Sequence, residues 1–214
     1  MRHSLKALLL ATALAAAPAL AQTESAATEA TEDTPSADTA TDGLAMGVVE
    51  GEGEIQVGQT YVREEHGDWE LRCVRAQDGN DPCQLYQLLR DVDDNSVAEF
   101  NLFPLPEGGQ AAAGANVITP LETLLTANLR LAIDGGQPKI YPYSFCSRIG
   151  CFSRIGLTAD EIAAFRKGSA AKVIIVPAAS PDETVELSLS LSGFTAGFNA
   201  LTEYAKGAAP TASE

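Results

Sequence analysis

The residues able to do chemistry in this 214-residue chain are few: four cysteines, two histidines and an acidic run from Asp91 to Asn95. Cys73, Cys83, Cys146 and Cys151 could serve redox catalysis, structural disulfides or a metal. Redox catalysis needs a Cys-x-x-Cys pair at a helix N-terminus, where one thiol ionises easily. Four residues separate Cys146 from Cys151 in a strand-and-turn context, so structural bridges are expected. A zinc site of two cysteines and two histidines fails, because His66 is the one histidine left once a leader carrying His3 is removed. Any serine or cysteine nucleophile with a histidine base would also need His66. That residue sits among Glu64, Glu65 and Asp68 beside Gly67 and reads as an exposed loop residue. Asp91, Asp93 and Asn95 fit the first positions of a calcium loop, but Ser96 replaces the required glycine and Leu102 the closing glutamate. A hairpin turn accounts for the same residues. Glycine-rich phosphate loops, a nucleophile elbow and paired catalytic carboxylates are missing. No catalytic, cofactor-binding or metal-binding residue is therefore assigned.

The elements that position the cysteines begin with Gly67 to Arg90. Trp69, Leu71 and Cys73 fall at i, i+2 and i+4 and share one face of a strand, with Trp69 expected in the core. After the loop Ala76 to Pro82, Cys83, Leu85 and Gln87 alternate with Gln84 and Tyr86, so the stretch predicts a β-hairpin. Four cysteines allow three pairings, and spacing alone does not choose. Cys73–Cys83 and Cys146–Cys151 are favoured, since each pair brackets one hairpin-like turn.

Residues 1–21 have the layout of a secretory signal peptide. Arg2, His3 and Lys6 precede an apolar centre from Leu8 to Leu14, and Ala19-Leu20-Ala21 predicts cleavage between Ala21 and Gln22. The apolar run is short for a membrane anchor of about 20 residues. Residues 22–58 form an Ala/Thr-rich arm with nine acidic residues, no lysine or arginine and no aromatic, a composition expected to be disordered. Without Arg2 and Lys6 the mature chain carries 12 basic against 29 acidic residues, a net charge of −17. That excess opposes nucleic acid and anionic membrane as partners.

From 59 to 206 the composition fits a single globular domain, followed by a flexible tail at 207–214. Strands are expected at 59–64, 97–103, 115–119, 129–133 and 172–176, and as two short segments around the turn Ser147 to Gly150. Thr158-Ala159-Asp160-Glu161 is a capping box that starts a helix facing Leu157, Ile162 and Phe165 inward and stopping at Lys167-Gly168. Glu186 to Ser192 alternates strictly, leucines inward and serines outward. A last short helix is expected from Phe194 to Tyr204. Eight or so strands and one or two helices predict a mainly β fold, a β-sandwich.

Several motifs occur in a definite order: Gly-Asp-Trp-x-x-x-Cys (67–73), Pro-Cys-Gln-Leu (82–85), Leu-x-Ile-Asp-Gly-Gly (131–136), Tyr-x-x-Cys-x-x-x-x-Cys (143–151) and Leu-Ser-Leu-Ser-Gly-Phe (189–194). Together they resemble the invasion-associated locus B family of alphaproteobacteria, over most of Tyr61 to Leu201. The resemblance implies an extracytoplasmic, immunoglobulin-like β-sandwich with no established enzymatic activity and supplies no catalytic or binding residues. The expected function is a non-enzymatic periplasmic or secreted protein that binds an unidentified envelope or extracellular partner through a β-sandwich surface, without cofactor, nucleic acid or stable membrane insertion. The alternative is a carrier of a small apolar ligand between the sheets, with Tyr141, Tyr143, Phe145 and Phe152 lining the pocket.

Overall fold

The computed structural model describes residues 55–208. The expected signal peptide, its Ala21–Gln22 cleavage site and nearly all of the acidic arm lie outside these residues, as do 209–214. The strands are β1 (Thr60–His66), β2 (Trp69–Val74), β3 (Cys83–Arg90), β4 (Ser96–Pro104), β5 (Ala113–Thr119), β6 (Leu129–Ile133), β7 (Lys139–Tyr141), β8 (Phe145–Ser147), β9 (Gly150–Leu157), β10 (Ala170–Ile175) and β11 (Val185–Ser190). The helices are α1 (Ala159–Lys167) and α2 (Phe194–Ala208). The fold is mainly β, as expected. The block around Cys146 makes three strands where two were expected, and α2 runs four residues past Tyr204, taking in the first residues of the expected tail.

Hydrogen bonding draws one curled antiparallel sheet in the order β7-β6-β10-β11-β3-β4-β5-β9-β8, with β2 also on β3 and β1 on β2. The expected sandwich would have two separate sheets. They are joined here because β3 pairs with β2 over Cys83–Tyr86 and then meets β11 at the single pair Arg90–Ser188. Alternation decides which face turns inward. Leu71, Leu85, Leu102, Ala115 and Ile155 stand opposite one another across five strands and are all buried. Leu187 and Leu189 are buried with them, as the leucine–serine alternation predicts.

Four rings close the core. Trp69 meets Phe100 at 5.9 Å and Phe194 at 5.4 Å, and Phe165 meets Phe194 at 5.1 Å and Phe100 at 6.3 Å. The Gly67-Asp68-Trp69 and Ser190-to-Phe194 motifs explain each other. Trp69 Nε1 donates to the Ser190 carbonyl at 2.9 Å, the Ser190 hydroxyl donates to Asp68 at 2.6 Å, and the Asp68 amide donates to the Ser192 carbonyl at 3.2 Å. Gln87 joins the lock by donating to the Ser190 carbonyl and accepting from its amide.

The capping box of α1 forms as read. Thr158 Oγ1 accepts from the Glu161 amide and Glu161 Oε2 accepts from the Thr158 amide. Gly168 ends the helix in an extended conformation (φ −74°), not a left-handed one. Space explains the glycine: a Cβ there would lie 2.7 Å from Leu191 Cδ1.

Candidate interaction surface

The cysteines pair as Cys73–Cys83 and Cys146–Cys151, and no cysteine among the described residues is free. Each bridge joins residues that stand opposite each other in the strand register. Non-reducing peptide mapping is expected to recover these two links, with no thiol alkylated before denaturation and reduction. Loss of either bridge is expected to lower stability by about 2–3 kcal/mol, because the loops closed are short.

His66 is the last residue of β1, and its Nε2 lies 3.1 Å from Glu64 Oε2. Its side chain is only 19% exposed, which corrects the expected loop position. Asp91 folds its turn: Oδ1 accepts from the amides of Asp93 and Asn95, and the Asn95 side chain donates to both carboxylate oxygens. Asn95's side-chain bond, followed by its amide bond, holds the Asp91 carboxyl below the usual range. Among the described residues no three His, Cys, Asp or Glu side chains gather to hold a metal ion. No helix among them is long and apolar enough to cross a membrane.

Two buried carboxylates escaped the sequence reading because their partners lie far apart in the chain. Asp81 accepts from the Tyr61 hydroxyl at 2.6 Å and the Ala76 amide at 2.8 Å and pairs with Arg75 at 3.0 Å, which ties down the loop before Cys83. Glu161 accepts from the Tyr141 hydroxyl at 2.6 Å and pairs with Lys139 at 2.9 Å, joining α1 to β7. Burial pushes the Glu161 carboxyl up, but the bonds from Tyr141, Thr158 and Lys139 outweigh it and hold it at about 2. Its ordinary value is 4.5. A depressed folded value gives stability that is present above 4.5 and lost as pH falls toward about 2. Thermal melts are therefore expected to show Tm falling across that window. Glu161→Gln is expected to be less stable at neutral pH and to lose less on acidification.

The aromatics proposed to line an inter-sheet pocket do not do so. Tyr141 is bonded to Glu161, the Tyr143 hydroxyl lies 3.5 Å from Thr119 Oγ1, and Phe145 is 50% exposed and stacked on Phe152 at 4.7 Å. The four-ring cluster fills the interior instead. A surface cleft of about 640 Å³ is bordered by Leu105, Pro106, Ile162, Phe198 and Ala205.

The outer face of β3, β4, β5, β9 and β8 has a different character. Register places Leu88, Glu99, Ile118, Phe152 and Phe145 in one row across it, four of the five apolar. Ile149, 74% exposed at the tip of the bridged β8–β9 hairpin, extends the row at its edge. The neighbouring row is polar: Glu70, Tyr86, Asn101, Asn116 and Arg154. Gln84 donates to Asn101, and the Arg72 guanidinium lies 3.3 Å from the centre of the Tyr86 ring. Burial, then the charge of Glu99, pushes the Tyr86 hydroxyl up. The helices pack on the opposite side, where Gly197 of α2 approaches the inward Leu85. Glu99 and Arg154 join none of the ion pairs among the described residues. This face offers apolar contact and a few polar and charged groups for binding.

No curated protein matches the chain. The crystal structure of invasion associated protein B from Bartonella henselae is similar, with a TM-score of 0.56 and 22% identity over 67% of this chain and 97% of that one. The likeness establishes a shared fold. The family model described as Invasion associated locus B (IalB) protein matches residues 69–202, from the core tryptophan into α2. With Trp69, the Ser190-to-Phe194 motif and both paired cysteines inside that span, the chain belongs to the IalB family.

Proposed function

We propose that this IalB-family chain is a non-enzymatic interaction module working outside the cytoplasm, which binds its partner through the outer face of the β3–β4–β5–β9–β8 region. The row Leu88–Glu99–Ile118–Phe152–Phe145 carries the reading, because a partly exposed apolar row that ends at the exposed Phe145 suits an interaction site. Two disulfides support an oxidising compartment, periplasmic or secreted. The scarcity of catalytic groups supports a role without turnover. The curl of the sheet, whose two arms meet through one residue pair, supports reading the fold as a variant of the immunoglobulin-like sandwich. The partner expected is an envelope or extracellular protein, not nucleic acid or membrane, given the acidic balance of the chain. Mild crosslinking in the native compartment tests this. Ile149→Asp, at an exposed hairpin tip, is expected to lose the partner and keep the fold. Equal capture by the variant, or a measurable hydrolase activity, would sink the reading.

A second reading rests on the cleft beside α2, whose size falls in the range of small-molecule sites. It makes the chain a carrier of a small apolar ligand, held at the surface and not between sheets. Native mass spectrometry of protein isolated from its own compartment is expected to show a bound apolar molecule, lost in Ala205→Trp. Ligand-free wild-type protein would exclude it.

A further inference from the structure

We propose that the outer face binds a second copy of the chain, face to face about a two-fold axis crossing β5 near Asn116 and Ile118, with Glu99 of each copy meeting Arg154 of the other. This rests on the interaction reading and names its partner. The first argument is charge. Glu99 is only partly exposed, lies within an otherwise apolar row and is paired with no cation among the described residues. Arg154 is exposed on the same face and is paired with no carboxylate among the described residues. Their strands are separated by β5, and Arg154 stands two residues beyond Phe152, the residue in line with Glu99. At ordinary strand spacing their α-carbons are about 12 Å apart, too far for an internal pair. A two-fold axis between them exchanges the two positions, so one surface satisfies both charges twice.

The second argument is shape. Sheets stack about 10 Å apart with their side chains interdigitating. The rows flanking the axis give Ile118 and Phe152 apolar neighbours, while the half-buried Asn116 supplies a hydrogen-bonding group near the centre. Five strands span about 24 Å and the face runs about 20 Å along them, on the order of 500 Å² per copy. Contacts of that size make weak, reversible pairs. Self-association is therefore expected at tens to hundreds of micromolar, not as an obligate dimer.

Sedimentation velocity of the full mature chain tests the proposal. Wild type is expected to show a concentration-dependent dimer. Glu99→Arg and Arg154→Glu each set like charges opposite one another twice and are expected to weaken it at least about 10-fold. The double variant restores both pairs and is expected to dimerise again. Mixing the two single variants is expected to give a heterodimer, because one copy then offers arginine at both positions and the other glutamate. A merely structural effect would not be repaired by mixing. Melting curves confirm that each variant is folded. A wild type that stays monomeric to about 1 mM, or single variants that fail to pair when mixed, would overturn self-association. The interaction reading fails separately, when Ile149→Asp captures the same crosslinked partners as wild type.

Discussion

Trp69→Ala is expected to destabilise the domain by about 3–5 kcal/mol, the usual range for truncating a fully buried large aromatic. Trp69 is 0% exposed, touches Phe100 and Phe194 edge-on, and donates its indole hydrogen to the Ser190 carbonyl. Alanine would leave a cavity between two rings and remove a donor from the part-buried Ser190 carbonyl, which keeps the Gln87 bond. Urea denaturation followed by far-ultraviolet circular dichroism measures the change. Trp69→Phe separates the two contributions, since it keeps most of the volume and loses the bond. It is expected to recover more than half of the loss.

Gly193→Ala is expected to be as damaging, at about 3 kcal/mol or more, although it adds a single methyl group. Gly193 has φ +81°, a left-handed conformation that penalises any side chain. A Cβ there would also collide with the His66 carbonyl and the Gly67 amide, which are backbone atoms and cannot swing aside. The partner turn is equally tight, with Gly67 at φ +61° and a Cβ position 2.7 Å from the Ser192 oxygen. Gly207→Ala is the control. It lies in the last turn of α2 with no atom within 4 Å of an added Cβ, and a small gain in stability is expected. Tm measured by scanning calorimetry separates the two outcomes.

What was legible in the sequence was local. The capping box at Thr158–Glu161, the Leu187–Leu189 alternation and the hairpin around Cys73 and Cys83 each depend on residues a few positions apart. They form as read. The cysteine pairing followed from the same hairpin logic. The joining of two expected sheets into one was not legible, because it depends on a single contact between Arg90 and Ser188. The outer apolar row was hidden for a related reason. Leu88, Glu99, Ile118, Phe152 and Phe145 come from five strands, and only the strand register sets them side by side. Asp81 and Glu161 show the limit from another side. Their burial is sustained by Tyr61 and Tyr141, each 20 residues away, and a single chain offers no pattern linking such pairs.

The single-pair junction between β3 and β11 also shapes how the domain comes apart. Backbone ladders make strands open together, and almost none crosses this seam. The arm of β7, β6, β10 and β11 meets β3 through that one pair and through side chains, the Trp69 and Gln87 bonds to Ser190 among them. Such an arm is a separate cooperative unit in the sense of native-state hydrogen exchange. Its amides would share one opening energy, lower than that of the β3–β4–β5 block, and Trp69 would be the latch that keeps the two from exchanging independently.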